Sequence, residues 1–211
     1  MSTIRFARAA ASGFLLAVAG AASAQSPQPA TLKVDGPYAI GRADAPVTMV
    51  EFSDFECSFC QRYHVQAFEE IKKNFIDTGK LRYVVRDYPL PFHRRAVPAA
   101  RTARCAGEQG KFWEMRHALM SGQSMLDMES MIEAAGKLKL DEAKLRACIA
   151  SFKFDKSIRK DMADADSVGV NSTPSFLIGR TRGDSVVGER MDGSQPYAAY
   201  ESRIKALLDA R

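Results

Sequence analysis

The apolar, β-branched run Val47-Thr-Met-Val-Glu-Phe52 is followed, five residues on, by Cys57-Ser-Phe-Cys60, and this junction constrains the fold more than any other feature. The run reads as a buried strand. From Cys60 onward the apolar residues Tyr63, Ala67, Phe68, Ile71 and Phe75 fall on one helical face, and Gly79 supplies a stop. Leu81 to Tyr88 reads as a second strand, so the unit is strand, helix, strand, with a crossover that favours parallel pairing. The cysteine pair therefore lies where a strand gives way to a helix.

Residues 94–168 are rich in Ala, Leu, Met, Lys and Glu, with breaks at Gly107, Gly110, Gly122 and Gly136 and a cap at Asp141, and they predict four or five helices. After Pro174, Ser175 to Ile178 and Ser185 to Val187 with its continuation read as strands. A terminal helix carries Tyr197, Tyr200, Ile204, Leu207 and Leu208 on one face. The order β, α, β, helical block, β, β, α predicts one α/β core interrupted by a helical insertion.

The first 24 residues have a different character. Arg5 and Arg8, an apolar run from Ala9 to Ala21, and Ala22-Ser-Ala24 make up the three parts of an export signal, with cleavage expected after Ala24. The run is short for a membrane span, and no other stretch reaches the roughly 20 apolar residues a span needs. Loss of the two arginines lowers the formal charge from +5 to +3, spread among acids with no basic stripe, which argues against nucleic acid as a partner. Hydrophobic residues at 46% and charged residues at 26% are ordinary globular usage, which excludes a disordered chain. The expected division is an export signal at 1–24, a proline-rich linker at 25–34, a core at 35–93 and 169–211, and the helical insertion at 94–168.

The spacing of the cysteines points to chemistry. At the start of a helix the Cys57 sulfur meets backbone N–H groups and the positive end of the helix dipole, which favours a thiolate. Cys60 follows on the same face and can close or resolve a disulfide. Zinc needs four ligands, and neither a second C-x-x-C nor a histidine pair is present, so no metal is expected. Cys105 and Cys148 fall in separate helices of the insertion. Export to an oxidising compartment allows them to pair, and two small buried thiols are the alternative. Glu51, in a strand covered on both faces, is either a buried acid with a task or a strand-end carboxylate in water. His64 and His117 read as surface or packing residues. Trp113, Phe112 and the methionines at 115, 120, 125, 128 and 131 read as packing.

Four segments together resemble the DsbA-like thioredoxin-fold thiol:disulfide oxidoreductases of the bacterial cell envelope. They are Val47 to Cys60, Arg86-Asp-Tyr-Pro-Leu-Pro-Phe-His93, Gly110-Lys-Phe-Trp113 and Gly169-Val-Asn-Ser-Thr-Pro-Ser-Phe176, and the likeness runs from about residue 35 to the end. The resemblance implies a thioredoxin fold with an inserted helical domain. It places a cis bond between Thr173 and Pro174 opposite the cysteine pair, where an ordinary trans proline opening a strand is the alternative. It makes Glu51 the buried acid that helps move a proton at Cys60, and brings His93 to the rim of the site. Where the best-known members carry Pro-His between the cysteines, this chain has Ser58-Phe59. Phe59 either contacts substrate or packs on the helical block.

The resemblance further implies an enzyme of the periplasm that oxidises thiols of exported proteins through Cys57 and Cys60. A membrane reoxidase of the DsbB type would restore the disulfide, and no dissociable cofactor is implied. The short stretch before the first core strand leaves no room for a dimerisation region and suggests a monomer. The rivals are a reductase or isomerase of the same fold, and a non-catalytic envelope chaperone or metal-binding protein.

Overall fold

The computed structural model describes residues 29–121 and 125–210, so the expected export signal and its cleavage point lie outside the described residues. Among the described residues six strands form one sheet: β1 (Ala30–Lys33), β2 (Ala39–Ile40), β3 (Val47–Ser53), β4 (Leu81–Asp87), β5 (Ser175–Arg182) and β6 (Ser185–Asp192). Their spatial order is β1-β6-β5-β3-β4-β2. β3 and β4 are parallel, Val47 facing Leu81 through Ser53 facing Asp87, and the other neighbours are antiparallel. The parallel pair is the strand–helix–strand unit expected from the sequence.

β3 is central, and every one of its residues is buried. The two-residue period sends its side chains alternately to two cores. Val47 and Met49 join the larger core, under the helices that follow β3 and those of the helical block. Val50 and Phe52 join a smaller core with Leu32, Leu177 and Ala165. Glu51 shares the parity of Val47 and Met49, and so points into the larger core.

After β3 the chain enters α1 (Ser58–Tyr63), a π-helical turn at His64–Phe68, α2 (Glu69–Ile71) and a second π-helical turn at Lys72–Ile76. Tyr63, Ala67, Phe68, Ile71 and Phe75 are all buried, as the periodicity requires. His64, four residues from both Cys60 and Phe68, shares that buried face at 2% exposure, which leaves packing rather than surface as its place. Gly79 sits at φ +73°, in the left-handed region that lets the chain turn toward β4.

The helical block consists of α3 (Ala96–Gly107), α4 (Phe112–Met120), α5 (Met128–Lys137), α6 (Glu142–Ala150) and α7 (Asp155–Ser167), and α8 (Tyr197–Asp209) ends the chain. Asp141 caps α6 by accepting a hydrogen bond from the Lys144 N–H at 3.0 Å. Buried charge docks the block on the sheet. Arg104 of α3 pairs with Asp87 of β4 at 2.7 Å and with Asp161 of α7. The Cys105 and Cys148 sulfurs are bonded, joining α3 to α6 across a Cα separation of 5.8 Å. Met115, Met120 and Met131 are buried as expected, whereas Met125 and Met128 are exposed.

One boundary needs correction. Residues 30–33, expected within a linker, form β1 and pair with β6, Ala30 facing Gly188 through Lys33 facing Ser185. The polar, proline-rich residues before Ala30 mask the alternation that begins at Thr31, in which Leu32 and Val34 face inward and Thr31 and Lys33 outward. β2 has two residues, too few for any periodicity to register.

Candidate active site

Cys57 is the N-cap residue of α1, and no acidic residue occupies the first helical turn. Its thiol lies 3.4 Å from the Thr173 carbonyl. Its pKa is lowered to about 5. The Cys60 thiol, hydrogen-bonded to the Cys57 sulfur, is the main cause; Thr173 and the Cys60 and Phe59 N–H groups add to it, against burial. Cys60 is the opposite case. It is fully buried, and desolvation, followed by the neighbouring Cys57, raises its pKa well above that of an ordinary thiol. Its sulfur accepts the Asp54 N–H at 3.5 Å. One helix turn thus holds an acidic outer thiol and a proton-retaining inner one.

The Thr173–Pro174 bond is cis, and the chain there faces Cys57 across a groove. Phe59, Leu90, Phe92, His93 and Ser172 help line this groove, whose volume is about 380 Å3. Phe59 is half-exposed under the Arg62 guanidinium, which stands 4.7 Å from the ring centroid, and is not packed into the helical block. Phe92, which also lines the groove, is 73% exposed. The groove beside the outer sulfur therefore offers two accessible aromatic rings among polar neighbours.

Asp54 holds the rim of that groove in place. Its carboxylate accepts the Glu56 N–H at 2.7 Å and the Leu90 N–H at 2.7 Å, and meets His93 Nδ1 at 2.8 Å. The carboxyl is almost wholly buried, and desolvation raises its pKa. The Arg95 N–H donates to Glu56 Oε2 at 2.7 Å, a second tie between the two loops. Sequence reasoning brought His93 to the rim but not the acid that holds it.

Glu51 has no solvent exposure, which removes the reading as a strand-end carboxylate in water. It is also not a lone buried acid. Arg116 Nη2 donates to Glu51 Oε2 at 2.6 Å, and the Tyr83 hydroxyl donates to the same oxygen. Oε1 and the Tyr63 hydroxyl are buried without a hydrogen-bond partner. Arg116 was missed in the sequence, although a signal was present. Phe112, Met115, Arg116, Leu119 and Met120 are the buried stripe of α4, so this arginine occupies a core position of an amphipathic helix. A buried carboxylate beside a buried guanidinium is the arrangement in which each charge tolerates desolvation.

Arg116 Nη1 also lies 3.2 Å from His64 Nδ1, and His64 Nε2 lies 3.0 Å from His117 Nδ1. The two histidines expected to be bland thus extend the network outward from Glu51. Among the described residues, no group of three or more His, Cys, Asp or Glu side chains is placed to hold a metal ion.

Comparison with known proteins agrees with this architecture. The family model described as Thioredoxin matches residues 33–206, and the chain belongs to this family. Its helical block between β4 and β5 gives it the DsbA-like form of the fold. Wolbachia pipientis α-DsbA1 superposes with a TM-score of 0.74 at 24% identity, over 83% of this chain and 92% of that one. Oxidised BdbD from Bacillus subtilis gives 0.74 at 20%, over 88% and 100%. A thioredoxin-like oxidoreductase from Silicibacter pomeroyi gives 0.66 at 25%, over 82% and 92%. Among curated sequences, a Na(+)/H(+) antiporter NhaA 1 of Mycolicibacterium gilvum is 36% identical over 165 residues, 74% of this chain but 26% of that protein. The chain spans about a quarter of the length of these curated relatives, and among its described residues no helix is long and apolar enough to cross a membrane.

Proposed function

We propose that the protein is a periplasmic thiol:disulfide oxidoreductase that introduces disulfides into exported proteins through Cys57 and Cys60. A substrate thiolate attacks Cys57 of the Cys57–Cys60 disulfide, forming a mixed disulfide and releasing Cys60, which takes up a proton. A second substrate thiolate then attacks the substrate sulfur of the mixed disulfide and frees Cys57 as a thiolate. The substrate loses two electrons and the cysteine pair gains them. A membrane reoxidase of the DsbB type completes the cycle by accepting those electrons. The enzyme acts as a monomer.

The observation that carries this reading is the asymmetry of the pair. A Cys57 thiolate at neutral pH is a good leaving group and stabilises the reduced form, which makes the disulfide oxidising. Export, read from residues 1–24, supplies the compartment. Thr173, before the cis proline, offers its backbone to an extended substrate segment lying in the groove beside Cys57. Glu51 assists proton movement at Cys60.

The test is a trap. Cys60→Ala, expressed with its export signal, should accumulate mixed disulfides through Cys57 with envelope proteins, and Cys57→Ser should abolish dithiol oxidation. An empty trap together with an active Cys57→Ser protein would overturn the proposal.

A further inference from the structure

A cleft of about 640 Å3, which shares no lining residue with the rim groove, is used by no step of the exchange reaction. Its walls are apolar, from Ile40, Phe68, Trp113 and Leu138, and its polar groups include His64, His117 and Arg116. This size and this mixture, an apolar lining with a few placed polar groups, are those of small-molecule sites.

The hydrogen-bond chain decides what the cleft presents. Arg116 can only donate, so His64 Nδ1 is an acceptor and its proton resides on Nε2. That proton is donated to His117 Nδ1. His117 therefore carries its own proton on Nε2, and its side chain is exposed at the cleft. The result is a fixed donor beside an apolar wall. The lining charges Lys72, Glu114 and Arg116 each already hold an opposite charge, at Asp77, Lys111 and Glu51. Glu69, solvent-exposed at the edge, disfavours an anion.

We propose that this cleft binds an uncharged ring compound bearing one hydrogen-bond acceptor, held between the apolar wall and the His117 donor. The binding does not depend on the redox reading given above.

Trp113 is the chain's one tryptophan and lines the cleft, so its fluorescence reports occupancy directly. Titration of the full chain with β-tetralone should quench it saturably at one site. Tetralin, which lacks the acceptor, should bind about tenfold more weakly, and His117→Leu should weaken β-tetralone binding by about the same factor, as for one hydrogen bond. Absence of saturable quenching, or tighter binding of the cationic β-aminotetralin, would overturn the site. Because quenching is read without any exchange reaction, failure of the proposed oxidase activity would be seen separately, in the Cys60→Ala trap.

Discussion

The molecule carries two cysteine pairs in contrasting surroundings. Cys57 and Cys60 begin a helix, one at the N-cap beside a groove and the other fully buried behind it. Cys105 and Cys148 lie near the C-terminal ends of α3 and α6, where no helix N-terminus supplies N–H donors, and their sulfurs are joined. Both pairs sit on helices. What separates a reactive sulfur from a structural one is which end of a helix it occupies and how many donors face it.

The sharpest way to break this contrast is to remove the outer sulfur. Cys57→Ser should reduce dithiol oxidation to background, while loss of Cys105 and Cys148 should leave the alkylation rate of Cys57 in the reduced protein unchanged. If both changes impaired Cys57 chemistry equally, the two pairs would not be separate devices. Next in size is Arg116→Met, which strands the Glu51 carboxylate in the core and should cost about 3–5 kcal/mol in urea unfolding. Adding Glu51→Gln should recover most of that loss, because the uncompensated charge is gone. A smaller effect follows from Cys105→Ala with Cys148→Ala. Releasing a loop with a sequence separation of 43 should cost about 2–4 kcal/mol by loop-closure entropy, again read from urea unfolding.

Much of this was legible in the sequence because it is local. The apolar run of β3, the C-x-x-C five residues on and the buried face of the following helix are short-range patterns that tertiary structure did not override. Glu51 could be marked from its strand as a candidate buried acid, with a strand-end carboxylate in water as the alternative. Its partner could not, since Arg116 is 65 positions away and contact is set by how α4 docks on the sheet. His64 and His117 were passed over for the same reason: the pair is made across 53 positions, although His64 shares the buried helical face of Cys60 and Phe68. β1 escaped notice because an edge strand of four residues, half exposed, carries too little alternation to outweigh a polar and proline-rich approach.

The sign of the pH dependence follows from the lowered Cys57 pKa. The unfolded thiol titrates near the ordinary value of about 8.5. In the reduced protein, Cys57 therefore contributes stability that is fully present above that value and is lost as pH falls through about 5. The direct measurement is the rate of Cys57 alkylation in the reduced protein against pH, followed with thiolate ultraviolet absorbance. The thiolate should titrate with a midpoint near 5, and Cys60 should stay unreactive across the neutral range. A single midpoint near the ordinary thiol value, shared by both cysteines, would contradict the claim that the Cys60 thiol and the N–H groups of the helix start make Cys57 the reactive sulfur.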